Sequence, residues 1–168
     1  MERSLETPKT RMDVIRESNW LTRKQDPVEP TSFWVNPFGV AWPLLKASDL
    51  IRVNTEGKVV DGGPVRLLNT AAYMIHHAVH TARPDLNCVA HSHSIYGRTF
   101  CSLGRPLDTI TQDSCAFHND LAMYTAFRGI VLAADEGIAI AKALGNKKAC
   151  ICPLPPYCPS AVNQVLVN

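Results

Sequence analysis

The sequence has no long apolar run. Hydrophobic residues make up 46% of its 168 residues, yet they never extend over the roughly 18 positions that a membrane-spanning helix needs. The first residues also lack the apolar core of a signal peptide. These absences argue against a membrane-spanning helix and a secretory leader, and we expect a cytoplasmic protein.

A large excess of one charge is also missing. The formal net charge is +2, charged residues are 19% of the chain, and no dense basic run occurs. A nucleic acid or an anionic membrane surface is therefore not the expected partner. Length and composition are those of a soluble globular protein of about one domain.

Paired cysteines of a disulfide framework are not evident either. Three of the six cysteines stand singly in apolar or helical segments, as expected of free thiols in a reduced compartment. The other three fall in the last nineteen residues, where Cys150 and Cys152 could form a thiolate pair or belong to a proline-rich tail without a metal.

Two histidines follow a short apolar run that begins after Asp85. His91 and His93 are separated by one residue, and alternate side chains of a β-strand share a face. Two imidazoles presented in this way can bind one divalent metal. The alternative is that one histidine packs in the core and the other forms a hydrogen bond.

A second histidine pair lies on a predicted helix. Asn69 or Thr70 can cap a helix that runs to about residue 82. His76 and His80, four residues apart, share one face of it. The zinc-protease version of this spacing has a glutamate directly after the first histidine, which this chain lacks, so the pair is expected to pack and form hydrogen bonds.

The remaining patterns alternate strands with helices. They indicate an α/β layered domain over residues 33–151, with a variable or disordered arm at 1–32 and a Pro/Cys-rich tail at 152–168. The predicted elements are a strand and tight turn at 33–39, a helical turn at 46–49, a hairpin at 51–60, helices at 95–102 and 135–144, and strands at 129–132 and 147–151.

Four segments of the chain carry a family resemblance. They are NPFG (residues 36–39), ARPDLNCVAHSHS (82–94), LGRPL (103–107) and LGNKKA (144–149). With them, residues 33–149 resemble the class II aldolase/adducin domain family. The RPD triplet followed by an apolar strand and His-x-His is the most specific part of the match.

The resemblance implies a three-layer α/β/α fold with a mostly antiparallel central sheet. It also implies a homo-oligomeric enzyme in which three histidines hold a divalent metal, usually zinc. The metal polarises a carbonyl and stabilises the enediolate of a small, sugar-phosphate-like substrate. Adducin has the same fold without catalysis and organises the spectrin–actin skeleton.

Carried over position by position, the resemblance places the first two metal ligands on His91 and His93. It places the substrate-phosphate turn on the NPFG segment, with Asn36 and Gly39 as its contributors. The acid/base glutamate of the family falls on Ala72, so the carboxylate is missing, and Tyr96 is the nearest candidate proton donor by sequence.

The third histidine of the family is expected shortly after LGNKKA, but a Cys-Pro-rich segment stands there. His76, His118 or a tail cysteine could take its place. The N-terminus departs from the family as well, which suggests an incomplete gene model, a frameshift or a splice variant.

Three interpretations follow from this pattern. The chain is a metal-dependent aldolase or epimerase-like lyase, a non-catalytic adducin-like module that binds actin or spectrin, or an inactive fragment. In a fragment, the last part of the sheet would be missing and a neighbouring strand would keep an open edge.

Overall fold

One mixed sheet organises the described part of the chain. The computed structural model describes residues 18–24, 31–92, 94–125, 133–152 and 164–167. Its strands are β1 (Ser18–Lys24), β2 (Ser32–Val35), β3 (Ile51–Asn54), β4 (Val59–Gly62), β5 (Cys88–Ser92), β6 (Leu121–Met123), β7 (Ala149–Ile151) and β8 (Gln164–Val167). Its α-helices are α1 (Thr70–Ala82), α2 (Ile95–Ser102), α3 (Gln112–Cys115) and α4 (Ala133–Leu144), and two 3₁₀ turns lie at Trp42–Leu44 and Ala47–Asp49.

The strand order is β4-β3-β2-β1-β5-β8-β7-β6. Every neighbouring pair among these described strands is antiparallel except β6 and β7, which run parallel. The α/β fold with a mostly antiparallel sheet is therefore confirmed. None of the described helices is both long enough and apolar enough to cross a membrane.

Strand β1 departs from the expected N-terminal arm. Residues 18–24 pair with β2 on one side and with β5 on the other, so they lie inside the sheet. The segment Trp20-Leu-Thr22 has the aromatic and β-branched composition of a strand. Its neighbouring charges and prolines conceal this short pattern when the sequence is read alone.

Strand β8 departs from the expected loss of the last part of the sheet. Gln164–Val167 lies between β5 and β7, where an open strand edge was predicted. Its sequence, Gln-Val-Leu-Val, comes after the last proline of the tail, so no missing amide prevents it from pairing. The predicted strand at 129–132 lies outside the described residues.

Helix α1 is the main helical cover of the sheet, and its ends match the sequence signals. The side chain of Asn69 accepts a hydrogen bond from the backbone N–H of Ala72 at 3.2 Å. The Tyr73 hydroxyl of α1 donates to the carbonyl of Asn54, at the end of β3, at 2.6 Å. Burial raises the pKa of Tyr73 to about 12, so the phenol stays protonated and anchors α1 to the hairpin.

Helices α1 and α4 cover one face of the sheet. Ile75 and Val79 of α1 pack with Ile140 and Leu144 of α4 over Val89 of β5. A second buried group joins Tyr73 to β2 and β3 through Phe33, Val35, Ile51 and Val53. On the opposite face, Cys88 and Ala90 pack against Leu50, with Trp34, Trp42 and Leu45 beside them.

Gly137 of α4 marks the closest approach of the two helices. A Cβ atom there would lie 3.0 Å from the Cα of Ile75, the carbonyl oxygen of Met74 and the Cβ of Ala78. Two of these atoms are backbone and cannot rotate away. The absence of a side chain at Gly137 therefore sets the spacing between α1 and α4.

We predict that Gly137→Ala destabilises the protein by roughly 1–2 kcal/mol, because overpacking against the α1 backbone outweighs the better helix propensity of alanine. Chemical denaturation followed by circular dichroism measures this difference. A gain of about 1 kcal/mol, as at an exposed helix position, would contradict the packing described here.

Candidate functional site

The candidate site lies at one end of the sheet. Strands β2 and β5 are both antiparallel to β1, so their C-terminal ends point to the same end of the sheet. The turn at residues 36–39 follows β2, and His91 lies near the end of β5. Two strand spacings, about 9–10 Å, separate these strands. The topology thus brings two sequence-predicted regions to one end of the fold.

His91 contacts a histidine of α1. Its Nδ1 atom lies 2.6 Å from Nε2 of His76, and the two ring centroids are 4.9 Å apart at an interplanar angle of 82°. Only 1% of His76 and 3% of His91 is exposed. The pair is therefore a buried hydrogen bond that joins the helix layer to the strand.

The electrostatic surroundings keep His76 neutral. Burial, and next the neighbouring imidazoles of His91 and His80, hold the pKa of His76 well below its usual value of 6.5. The backbone carbonyl of Val89 is a further hydrogen-bond partner of the His76 ring and acts in the opposite direction. Burial is the largest of these effects, so a neutral ring is expected at pH 7.

His80 has different surroundings from His76. Its ring is fully buried, and its centroid lies 5.4 Å from that of Phe33 in β2. His76 contacts β5 instead, so the two histidines of α1 pack against different strands. This arrangement agrees with packing and hydrogen bonding rather than joint chelation.

The described residues do not form a complete metal site. They contain no group of three or more His, Cys, Asp or Glu side chains placed to hold a metal ion. His93 lies outside the described residues, and His118 is exposed beyond α3. Because His76 engages Nδ1 of His91, a metal bound by His91 would be bound through Nε2. The described residues therefore fit a first imidazole ligand.

Cys150 and Cys152 lie in the core next to β6 and α4, whereas Cys158 lies outside the described residues. Cys150 and Cys152 are both buried and belong to the cluster that contains Tyr124 and Leu144. A hydrogen bond between the two thiols and burial raise the pKa of Cys152 far above its usual range. The same hydrogen bond lowers the pKa of Cys150, so the ionisation of one thiol depends on that of the other. Their burial in the apolar cluster favours a packing role for the pair.

The predicted substrate residues lie on the turn after β2. Asn36 is buried with 8% of its surface exposed, whereas Gly39 is exposed and has a φ of +85°. That φ suits glycine, since other residues rarely adopt it. The amide of Phe38 donates to the carbonyl of Leu67 at 2.7 Å, which ties the turn to the segment before α1.

Ala72 and Tyr96 flank the histidine pair in sequence but differ in burial. Ala72 lies one helical turn before His76 on the same side of α1 and is buried. Tyr96 is 88% exposed in the first turn of α2, a helix that Ser94 caps by accepting from Gly97 N–H at 3.0 Å. The position that the resemblance assigns to the acid/base group, Ala72, is therefore buried, whereas the predicted proton donor, Tyr96, is exposed to solvent.

The RPD triplet has a structural role that the sequence did not reveal. Arg83 donates to Asp85 through Nε at 2.9 Å and through Nη2 at 2.7 Å. Its Nη1 donates to the carbonyl of Gly145 at 2.8 Å and to that of Lys147 at 3.4 Å. The RPD and LGNKKA segments thus meet, and Arg83 joins the end of α1 to the end of α4. The sequence signals for this contact were the charged residues of the RPD and LGNKKA segments, which lie far apart in the chain.

Comparison with known proteins identifies the family. The profile of the Class II Aldolase and Adducin N-terminal domain family matches residues 18–153. The chain therefore belongs to the class II aldolase and adducin family. The matched range includes β1, which agrees with its place inside the sheet.

Three similar proteins illustrate the range of this family. The Meiotically up-regulated gene 14 protein of Schizosaccharomyces pombe is 38% identical over 125 residues, covering 74% of this chain and 48% of that protein. Decarboxylase NovR of Streptomyces niveus is 41% identical over 125 residues, covering 74% of this chain and 46% of that protein. The solved structure of L-fuculose 1-phosphate aldolase from Glaciozyma antarctica PI12 is 40% identical in sequence and has a TM-score of 0.72. The match covers 95% of this chain and 58% of that chain. The chain spans about half the length of the curated relatives it matches.

We predict that Arg83→Lys destabilises the protein by about 1–2 kcal/mol, because an ammonium group cannot bind Asp85 and the Gly145 carbonyl together. Asp85→Asn is the matched comparison. Asp85 is exposed, so its loss should cost less than about 1 kcal/mol. Urea denaturation of both variants measures the difference. Equal losses of unfolding free energy would contradict a role for Arg83 in joining α1 to α4.

Proposed function

We propose that this chain is the metal-dependent lyase domain of a cytoplasmic class II aldolase-type enzyme. Its substrate would be a small, hydroxylated, sugar-phosphate-like carbonyl compound in which the bond between the carbons α and β to the carbonyl is broken or formed. The family supports this reaction class, and the names aldolase and decarboxylase among the similar proteins both denote cleavage of a carbon–carbon bond.

The observation that carries this proposal is the buried His76–His91 hydrogen bond. A histidine ligand of a catalytic metal usually has its second ring nitrogen held by a hydrogen-bond partner. His91, to which the resemblance assigns the first ligand position, is held in this way through Nδ1. His93, two residues further on, is proposed as the second ligand.

The other site residues have proposed roles that follow their positions. The turn with Asn36 and Gly39 would bind the phosphate or a similar anionic group through backbone amides and the Asn36 side chain. A bound zinc ion would supply Lewis acidity at the carbonyl oxygen. Tyr96 is exposed and would exchange a proton with the substrate from α2.

We predict that the metal-free protein binds zinc with a Kd tighter than about 100 μM. His91→Ala should weaken this binding at least about 10-fold, because it removes a ligand. Isothermal titration calorimetry in metal-free buffer measures both values. His77→Ala is the control and should leave the Kd unchanged, since the His77 ring stacks on Tyr73 with the centroids 5.6 Å apart.

Absence of zinc binding in the wild-type chain would rule out a metal-dependent activity for the chain as given. Equal affinity of the wild type and the His91→Ala variant would place the bound zinc elsewhere. Either result would overturn the assignment of His91 as a ligand.

A gain-of-function substitution tests the missing acid/base group. Ala72→Glu places a carboxylate one turn from His76, and we predict that it speeds proton exchange beside the carbonyl of dihydroxyacetone phosphate roughly 10²-fold in the zinc-loaded protein. Proton NMR in deuterated buffer measures the exchange. Met74→Glu, on another side of α1, is the matched control.

An equal exchange rate in the Ala72→Glu and Met74→Glu variants would contradict the placement of the family carboxylate at Ala72. Thermal melting of both variants establishes that they are folded under the assay conditions.

A non-catalytic, adducin-like role is the second candidate. The observation that favours it is Ala72, because the position that carries the family's acid/base group has no proton to transfer. Co-sedimentation with filamentous actin tests this role directly. Recovery of the chain with actin, together with absent lyase activity, would favour it over the enzyme.

A further inference from the structure

A single proton must lie between the rings of His76 and His91. Their nitrogens, Nε2 and Nδ1, are 2.6 Å apart, and both rings are shielded from solvent. Two neutral imidazoles share such a contact only if one donates and the other accepts. If His76 donates, His91 carries its proton on Nε2; if His91 donates, Nε2 of His91 carries a lone pair.

The metal-binding role proposed for His91 selects between these two arrangements. A metal binds an imidazole through a nitrogen lone pair, and Nδ1 of His91 faces His76, so Nε2 of His91 has to be unprotonated. The neutral His91 ring then carries its one proton on Nδ1 and donates it to Nε2 of His76.

We propose that His76 is a positioning residue for His91: its Nε2 accepts a hydrogen bond from Nδ1–H of His91, which fixes the tautomer and orientation in which Nε2 of His91 can bind a metal. This inference deepens the proposed function, and its statement that His91 binds a metal rests on that proposed function. The hydrogen bond itself belongs to the metal-free protein and can be tested without any metal.

The surrounding packing gives His76 the rigidity that this role requires. It lies in the middle of α1, between the N-terminal cap at Asn69 and the hydrogen bond from Arg83 to the Gly145 carbonyl. Neighbouring residues Ile75 and Val79 pack against α4 and β5. A ring held from both ends of its helix can orient another ring with little loss of conformational entropy on metal binding.

Two substitutions at His76 separate the hydrogen bond from simple packing. His76→Gln carries its Oε1 the same number of bonds from Cα as the Nε2 of histidine, so it retains an acceptor. His76→Leu fills a similar volume without one. His80→Leu is the matched control, because His80 packs on Phe33 and lies on the same helix.

The first readout is the tautomer of His91 in the metal-free protein, measured by long-range ¹H–¹⁵N NMR of the imidazole nitrogens. We expect Nδ1 protonated and Nε2 unprotonated in the wild type, in His76→Gln and in His80→Leu. In His76→Leu, we expect a shift toward the Nε2-protonated form. A wild-type His91 that is protonated at Nε2 would overturn the proposal.

The second readout is the zinc affinity of the same proteins by calorimetry. His76→Leu should weaken binding by about 10–100-fold, the effect usual for loss of a ligand's orienting partner. His76→Gln should retain most of the affinity. Equal losses in both variants would overturn the proposal, because they would indicate a packing effect alone.

The two readouts separate this inference from the proposed function. If the wild type has the expected tautomer but binds no zinc, the proposed function fails and the hydrogen-bond assignment stands. If it binds zinc with His91 protonated at Nε2 in the metal-free state, the positioning role fails. If His76→Leu does not fold, the wild-type tautomer and the His76→Gln affinity still decide the outcome.

Discussion

The contact between α1 and β5 is the interaction on which the rest of the structure depends. Helix α1 rests on this strand through an apolar cluster, and at one point the contact becomes polar, where His76 meets His91. A buried polar pair is tolerated only when its hydrogen-bonding groups are satisfied, because an unmet donor or acceptor costs about 1–3 kcal/mol. The position of α1 therefore determines both the packing of the core and the chemistry available at the strand.

The family motifs divide into those that build the fold and those that build the site. Arg83, the most conspicuous charged residue of the RPD segment, ties α1 to the end of α4 and contacts backbone carbonyls. His91, near the end of β5, is the residue with a proposed chemical role. A motif can thus be specific for a family even though most of its residues serve to hold one side chain in place.

Local signals in the sequence were enough to predict much of the fold. Helix α1 begins at an Asn cap and ends before a proline, and the β3–β4 hairpin has a glycine-containing turn. Strands β1 and β8 were not predicted because their stability comes from pairing with β5, which is distant in sequence. A short strand beside charged or proline-rich residues has little local signature.

The candidate site could also be predicted only where local sequence patterns carry the information. Alternation along β5 indicated that His91 would be presented to a face of the sheet, and the helical spacing placed His76 and His80 on one side of α1. The contact between His76 and His91 depends on how α1 docks on β5, which no local pattern encodes. The position of the proton between the two rings depends in turn on which nitrogen donates, and no local pattern encodes this either.

X-ray absorption at the zinc edge of the zinc-loaded protein tests the central claim, that His91 is a metal ligand, most directly. The account predicts imidazole scattering with zinc–nitrogen distances of about 2.0–2.1 Å that diminishes in the His91→Ala variant. A spectrum dominated by sulfur at about 2.3 Å, unchanged in that variant, would contradict it and would place the metal on the cysteines.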